Sequence, residues 1–255
     1  MPAVADDRPR AAYRAETPWG PSAAIAVAVL ASLAPMAVAL LAILAEDASL
    51  VTGDARTTPG GIPSLASPFM LAQMIAGQFL SLAIVWVAAG WKGARIPTLR
   101  LAPPQTGWLT AVGYGALLIV LIGPIEILLY RLAEVPLFSD GRWILDGLKS
   151  PYWWAVILAA VVLAPLWEEI TFRGFLLSAL AKSRLGYWPA AILSSGLWTV
   201  LHVGYSGPGL ASVFLAGVGM SWIMWRTGSM RAVVVAHAVI NAFALTVIFL
   251  FAPTN

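Results

Sequence analysis

Trp153-Trp154-Ala155-Val156-Ile157-Leu158-Ala159-Ala160-Val161-Val162-Leu163-Ala164-Pro165-Leu166 is an unbroken apolar run, and Trp167-Glu168-Glu169-Ile170-Thr171-Phe172-Arg173-Gly174 continues it directly. A run this long with no polar face reads as a membrane span. Two adjacent glutamates and an arginine therefore lie within a span. Ionisable groups in hydrocarbon are costly, face a bundle interior or a wet cavity, and are a functional-site hypothesis by default.

The rest of the chain agrees with a membrane reading. Of its 255 residues 60% are hydrophobic and 11% charged, and the apolar residues gather in blocks of about 20, the length needed to cross a bilayer. The fold class expected is all-α, a polytopic transmembrane helical bundle of about seven spans. A soluble chain would show a polar face at helical spacing. Trp19, Trp91, Trp108, Trp153, Trp154 and Trp188 fall at block edges, where indole suits the headgroup layer. There is no cysteine, which removes disulfides, thiolate metal sites and a cysteine nucleophile together. The net charge of +3 is dispersed over span ends rather than clustered, so no nucleic-acid partner is implied.

The blocks run Ala23 to Ala45, Phe69 to Gly90, Leu109 to Tyr130, Tyr152 to Leu177, Trp188 to Val203, Gly209 to Trp225 and Met230 to Phe251. The fifth and sixth are short for a hydrocarbon core of about 30 Å, so tilt, thinning or a partly re-entrant course is expected. Counting loops on alternate sides, one side collects Arg8, Arg10, Arg14, Lys92, Arg95, Arg100, Lys182, Arg184, Arg226 and Arg231. The other collects Arg56, Arg131, Arg142 and Lys149 among acids. The positive-inside rule places the N-terminus in the cytoplasm and the C-terminus outside. The first block is too long for a typical signal-peptide core and reads as a retained span. The external loop Glu46 to Ser67 is rich in Gly, Pro, Ser and Thr and reads as flexible. In Phe138 to Ser150, Trp143, Ile144 and Leu148 are expected to share one face of a short surface helix. The organisation expected is a cytoplasmic segment 1–20, accessory spans in 21–150 and a working core in 151–251, since ionisable in-span residues concentrate after Tyr152.

Glu169 and Arg173, four apart on one helix, share a face and can pair. Glu168 is rotated by about 100° and keeps a free carboxylate, which suits a general base or acid. A helix-anchoring salt bridge explains Glu169 with Arg173 but leaves Glu168 unexplained. The two histidines fall in the last three blocks: Trp198-Thr199-Val200-Leu201-His202 and His237-Ala238-Val239-Ile240-Asn241 each place two polar or aromatic groups four apart. A lone histidine in an apolar helix is more often structural; two, with Asn241 and an acid pair, favour a site. At about 1.5 Å per residue from the basic ends, Glu168 lies about 14 Å deep, His237 about 11 Å, Asn241 about 17 Å and His202 about 21 Å. His202 meets the others only with tilt or a displaced fifth helix.

Glu-Glu-x-x-x-Arg, aromatic-x-x-x-His and His-x-x-x-Asn on successive spans resemble the CPBP family of intramembrane proteases, which includes the CAAX prenyl endopeptidases and bacteriocin self-immunity (Abi) proteins. The resemblance covers Tyr152 to Phe249 and extends to Phe172-Arg173-Gly174-Phe175 and Arg226-Thr227-Gly228-Ser229. Trp198 departs from the phenylalanine common there. The resemblance implies an endopeptidase acting on a membrane-associated or prenylated (CAAX-type) substrate. Glu168 and His202 would activate water, His237 and Asn241 would stabilise the oxyanion, and Glu169 and Arg173 would fix the helix, in a cavity open to the cytoplasm. A divalent metal such as zinc on Glu168, His202 and His237 stays open, but His-Glu-x-x-His is absent and the preferred reading has no obligatory metal. The partners implied are the lipid bilayer and a membrane-associated peptide or protein substrate; the Ala-rich chain suggests a bacterial inner membrane.

Three rivals use other residues. Gly204-Tyr205-Ser206-Gly207 matches the Gly-x-Ser-Gly of rhomboid serine proteases, with His237 as partner, but Ser206 before Gly-Pro-Gly is explained as an N-cap. Glu126 with the later acids and histidines suggests a proton- or ion-coupled transporter, although Glu126 is expected near the outer end, snorkelling or paired with Arg131, and the halves show no inverted repeat. The third rival is a non-catalytic immunity or adaptor protein.

Overall fold

The computed structural model describes residues 13–45, 65–101 and 106–253. Arg8, Arg10, Arg56 and most of the loop Glu46 to Ser67 lie outside the described residues. Seven long helices account for most of the rest: α1 Pro21–Ala45, α2 Pro68–Trp91, α3 Trp108–Leu132, α4 Trp153–Ala181, α5 Tyr187–Val200, α6 Gly207–Thr227 and α7 Met230–Phe251. All but α5 are long and apolar enough to cross a membrane, six among the described residues. The protein is a polytopic helical bundle and an integral membrane protein.

The sixth block is longer than its apolar core suggests. Ser206 caps α6 by accepting the Gly209 N–H, with a proline in the first turn. At the other end Gly228 closes α6 in the left-handed region at φ 61°, its N–H bonded to the Met224 carbonyl. Ser229 then caps α7 by accepting the Ala232 N–H. The short fifth helix remains as expected: 14 residues, about 21 Å. It still runs antiparallel to α6, since Tyr187 OH donates to the Ser221 carbonyl at 2.6 Å and the Trp188 and Trp225 rings lie 5.7 Å apart. The turn 201–206 completes its path.

The central element is α4, which touches α1, α2, α5, α6 and α7. Its residues Ile170–Leu180 are all buried. Around it, α3 rests on α6 and α7, while α1 lies along α2. Without a hydrophobic drive between helices in lipid, such contacts rely on small residues that let backbones approach. Ala24, Ala28 and Ala31 of α1 are buried, and Ser81 of α2 donates to the Ala31 carbonyl at 2.8 Å. A Cβ on Gly77 would lie 2.6 Å from Pro35 Cα.

Segments that the charge count placed on one side meet at one end. Lys182 Nζ donates to the Thr17 carbonyl at 2.7 Å, Arg100 donates to the Arg14 and Gly228 carbonyls, and Tyr13 OH donates to Ser178 Oγ at 3.1 Å. Arg231 lies over the Trp108 ring and Lys92 over Trp19. Residues 13–20 thus cross the basic end of α4. At the opposite end Gly147 packs on Leu65 and Val156, and Gly141 on Ile248 near the end of α7. There the expected surface segment folds as the short helical turns Arg142–Ile144 and Leu145–Leu148, with Ile144 and Leu145 buried and Asp146 and Lys149 exposed. Trp143 and Leu148 pack on the same apolar cluster. Glu126 makes no ion pair with Arg131 among the described residues; its electrostatic neighbour is Asp140.

Gly77→Val should force α1 away from α2 and lower stability by about 1–3 kcal/mol, the usual effect of overpacking. A denaturant titration of the detergent-solubilised protein reads this, and an unmoved midpoint would show that the α1–α2 contact is not tight.

Candidate active site

Two stretches of α4, Leu158–Leu163 and Ile170–Leu176, are wound as π-helix, so Ala164 N–H bonds the Ala159 carbonyl and Leu177 N–H the Phe172 carbonyl. Pro165 accounts for the first, because its ring clashes with the carbonyl four residues back and it has no N–H to donate. A wide turn relieves the clash and leaves Ala160 facing a residue that cannot donate. Asn241 of α7 fills the gap, its Nδ2 donating to the Ala160 carbonyl at 2.8 Å. Between the two π stretches Ala164–Glu169 is α-helical, and it carries both acids. Wide turns of this kind are frequent at functional sites.

The two glutamates have different surroundings. Glu169 is fully buried: Arg173 Nη1 donates to its Oε1 at 3.1 Å, and His237 Nδ1 lies 2.7 Å from the same oxygen. A carboxylate only accepts, so His237 Nδ1 carries the proton of that bond. Arg173 is also 0% exposed and lies over the Trp198 ring at 4.5 Å. Space for it comes from Gly217 of α6, where a Cβ would stand 2.9 Å from Arg173 Nη2 and 3.1 Å from Trp198 Cε3. Glu168 retains 13% side-chain exposure. Its Oε2 accepts the Trp198 indole N–H at 2.7 Å and lies 4.0 Å from His237 Nε2. That distance is too long for a direct hydrogen bond, so Nε2 is not tied to the acid.

Trp198 joins the constellation. Its ring meets His202 edge-on at 5.1 Å and His237 at 5.5 Å. His202 lies past the end of α5, in the turn 201–206, with Nδ1 3.2 Å from the Trp198 carbonyl. Since a carbonyl only accepts, Nδ1 donates there and Nε2 keeps its lone pair. Tyr205 packs edge-on against His202 at 5.3 Å.

Glu168, Glu169, Arg173, His237 and, through Trp198, His202 are thus brought to one place. Asn241 holds the α4 backbone through one of its two amide hydrogens. The indole N–H of Trp198, the neighbour Tyr205 and the close approach at Gly217 were not legible as site features. Trp198 was visible as an aromatic one turn before His202, but its N–H matters only once α4 lies beside it. Toward the basic end residues 13–20 pack on α4 at Phe175 and Ser178 and on Lys182 just beyond it, and the partly exposed Glu168, His202 and Tyr205 lie toward the end where Ser206 meets Asp140.

The donors fit a catalytic zinc poorly. Glu168 and His237 offer two ligands, yet no group of three His, Asp or Glu residues able to hold an ion occurs among the described residues, and such sites use three protein ligands.

Residues 150–243 match the family model described as type II CAAX prenyl endopeptidase Rce1-like. This is the CAAX protease family that the motifs resemble. The matched segment contains Glu168, Glu169, Arg173, Trp198, His202, His237 and Asn241. No curated protein and no solved structure matches the chain.

Arg173→Met keeps most of the volume and leaves Glu169 buried with only His237 beside it. The expected loss is about 3–5 kcal/mol, as for a broken buried ion pair. Thermal or denaturant unfolding in detergent measures it, and near-wild-type stability would mean that the pair contributes little.

Proposed function

We propose that the protein is an intramembrane endopeptidase that hydrolyses a peptide bond of a membrane-associated substrate, with prenylated CAAX-type chains as the candidate class. The observation that carries this is the unequal acid pair. Glu169 is buried in an ion-pair network, and Glu168 is left partly exposed, held by one indole N–H and facing His237.

In this reading a water held by Glu168 and His202 attacks the scissile carbonyl as its proton passes to Glu168. The oxyanion that forms is met by His237 Nε2–H, with the imidazolium balanced by Glu169 through Nδ1. The tetrahedral intermediate then collapses, the carbon–nitrogen bond breaks, and Glu168 returns the proton to the leaving amine. Asn241 supports the acids through α4. This reading uses no metal.

In this reading Ser206 is structural: its hydroxyl bonds Asp140 and accepts the Gly209 N–H that caps α6, and neither histidine is a hydrogen-bond partner of it among the described residues. Cleavage of a farnesylated Cys-a-a-X peptide by the purified protein tests the assignment. Glu168→Ala, His202→Ala and His237→Ala should each lose about 10²–10⁴-fold in kcat/KM. Trp198→Phe, which keeps an aromatic ring and loses one hydrogen bond to a carboxylate, about 1.5–3 kcal/mol, should lose about 10- to 150-fold. Ser206→Ala should stay within about tenfold, since its backbone N–H still reaches Asp140, and a chelator should leave turnover unchanged. Turnover surviving Glu168→Ala would sink the mechanism.

The basic end faces the cytoplasm of a bacterial inner membrane in this proposal, by the positive-inside bias. The chain has no cysteine, so single Lys182→Cys and Lys149→Cys variants can be probed in cells with a membrane-impermeant maleimide. Labelling is expected at position 149 and not at 182; the reverse pattern overturns the orientation.

A further inference from the structure

A second polar cluster lies outside the catalytic constellation, at the end opposite the basic loops. Asp140, in the connection between α3 and α4, accepts the Ser206 N–H through Oδ1 at 2.9 Å and the Ser206 hydroxyl through Oδ2 at 2.7 Å. The Tyr130 hydroxyl, near the end of α3, donates to the same Oδ2. Asp140 is itself held, because its carbonyl accepts the Trp143 indole N–H at 2.9 Å. The approach is tight: a Cβ on Gly209 would collide with Asp140 Oδ2 and lie 3.0 Å from the Tyr130 oxygen. One carboxylate thus ties three parts of the chain together: α3, the α3–α4 connection and the start of α6.

What this tie controls follows from where α5 stops. The helix ends at Val200, so no helical ladder fixes His202. The turn is held by His202 N–H to the Thr199 carbonyl at 2.9 Å, by His202 Nδ1 to the Trp198 carbonyl at 3.2 Å and by Tyr205 N–H to the His202 carbonyl at 2.8 Å. Its far end is Ser206, four residues beyond His202. Without an anchor at Ser206 the turn could swing about the end of α5, and His202 with it. Bonds to an ionised acceptor are the stronger class and suit such an anchor.

We infer that Asp140 is a positioning residue of the site: by clamping Ser206 to α3 it sets where His202 and Tyr205 stand beside Trp198 and Glu168. The inference rests on the reading of His202 as part of the catalytic site. It also accounts for the Gly204-Tyr205-Ser206-Gly207 motif, whose serine serves as the clamp's donor and the cap of α6.

Because the chain has two histidines, ¹³C,¹⁵N-histidine labelling in detergent micelles yields two imidazole signal sets. Loss of one set in His202→Gln and of the other in His237→Gln assigns them. In Asp140→Ala the His202 set should shift or broaden while the His237 set stays. Cleavage of the farnesylated peptide should fall about 10- to 100-fold in kcat with KM little changed, the size expected when a reacting group is displaced by about 1 Å. Asp140→Asn, which keeps an acceptor for the Ser206 N–H, should recover part of both. A folded Asp140→Ala whose His202 signals superimpose on the wild type overturns the clamp. If that variant does not fold, the double variant Tyr130→Phe/Ser206→Ala cuts the tie to α3 and leaves Asp140 only the Ser206 N–H, and unchanged His202 signals there overturn it equally. Signals that move in a protein that cleaves no peptide would sink the protease reading alone; wild-type cleavage with unmoved signals would sink the clamp alone.

Discussion

The carboxylate of Glu169 organises the centre of the bundle. It is fully enclosed and takes a guanidinium from its own helix and an imidazole from α7 on one oxygen. A buried charge without partners is far more costly than the same charge in water, so every element that supplies or shields a partner is constrained. Arg173 must lie flat enough to pair with Glu169 and stack on Trp198 of α5, which obliges α6 to present a glycine at position 217. His237 must turn Nδ1 inward, which leaves Nε2 toward Glu168. The arrangement that faces Glu168 is therefore a by-product of satisfying the buried Glu169.

The backbone of α4 adapts to the same demand. Pro165 stands one turn before the acids and opens the helix into a wide turn. Asn241 answers the carbonyl that the proline cannot bond. This draws α7 against α4 at two levels, through Asn241 toward one end and His237 beside the acids. A helix with a regular ladder would need no such partner, and α7 would be free to slide.

The two ends of the molecule are built differently. At the basic end residues 13–20, the α2–α3 connection and the α6–α7 turn are laced to one another over a buried half of α4. At the other end, among the described residues, Asp140 joins α3, the α3–α4 connection and the start of α6. The partly exposed Glu168, His202 and Tyr205 lie toward this second end, while the ion pair of Glu169 and Arg173 is fully enclosed.

Much of this was legible in the amino-acid sequence. Helical spans, their approximate ends and the grouping of basic loops at one end follow from local hydrophobicity and charge, which the bilayer reads segment by segment. The division of Glu168 from Glu169 follows from helical periodicity alone, because Arg173 is four residues from one acid and not from the other. What periodicity could not supply was anything that depends on two helices meeting. The N–H of Trp198 on Glu168, the spacing role of Gly217, the use of Asn241 on α4 and the grip of Asp140 on Ser206 each join residues far apart in the chain. The wide turns also shift the helix phase that a 3.6-residue count assumes. The sequence by itself determined which residues are costly to bury and so must find partners; tertiary packing alone decided which partners they found, because that choice depends on which backbones approach closely enough to touch.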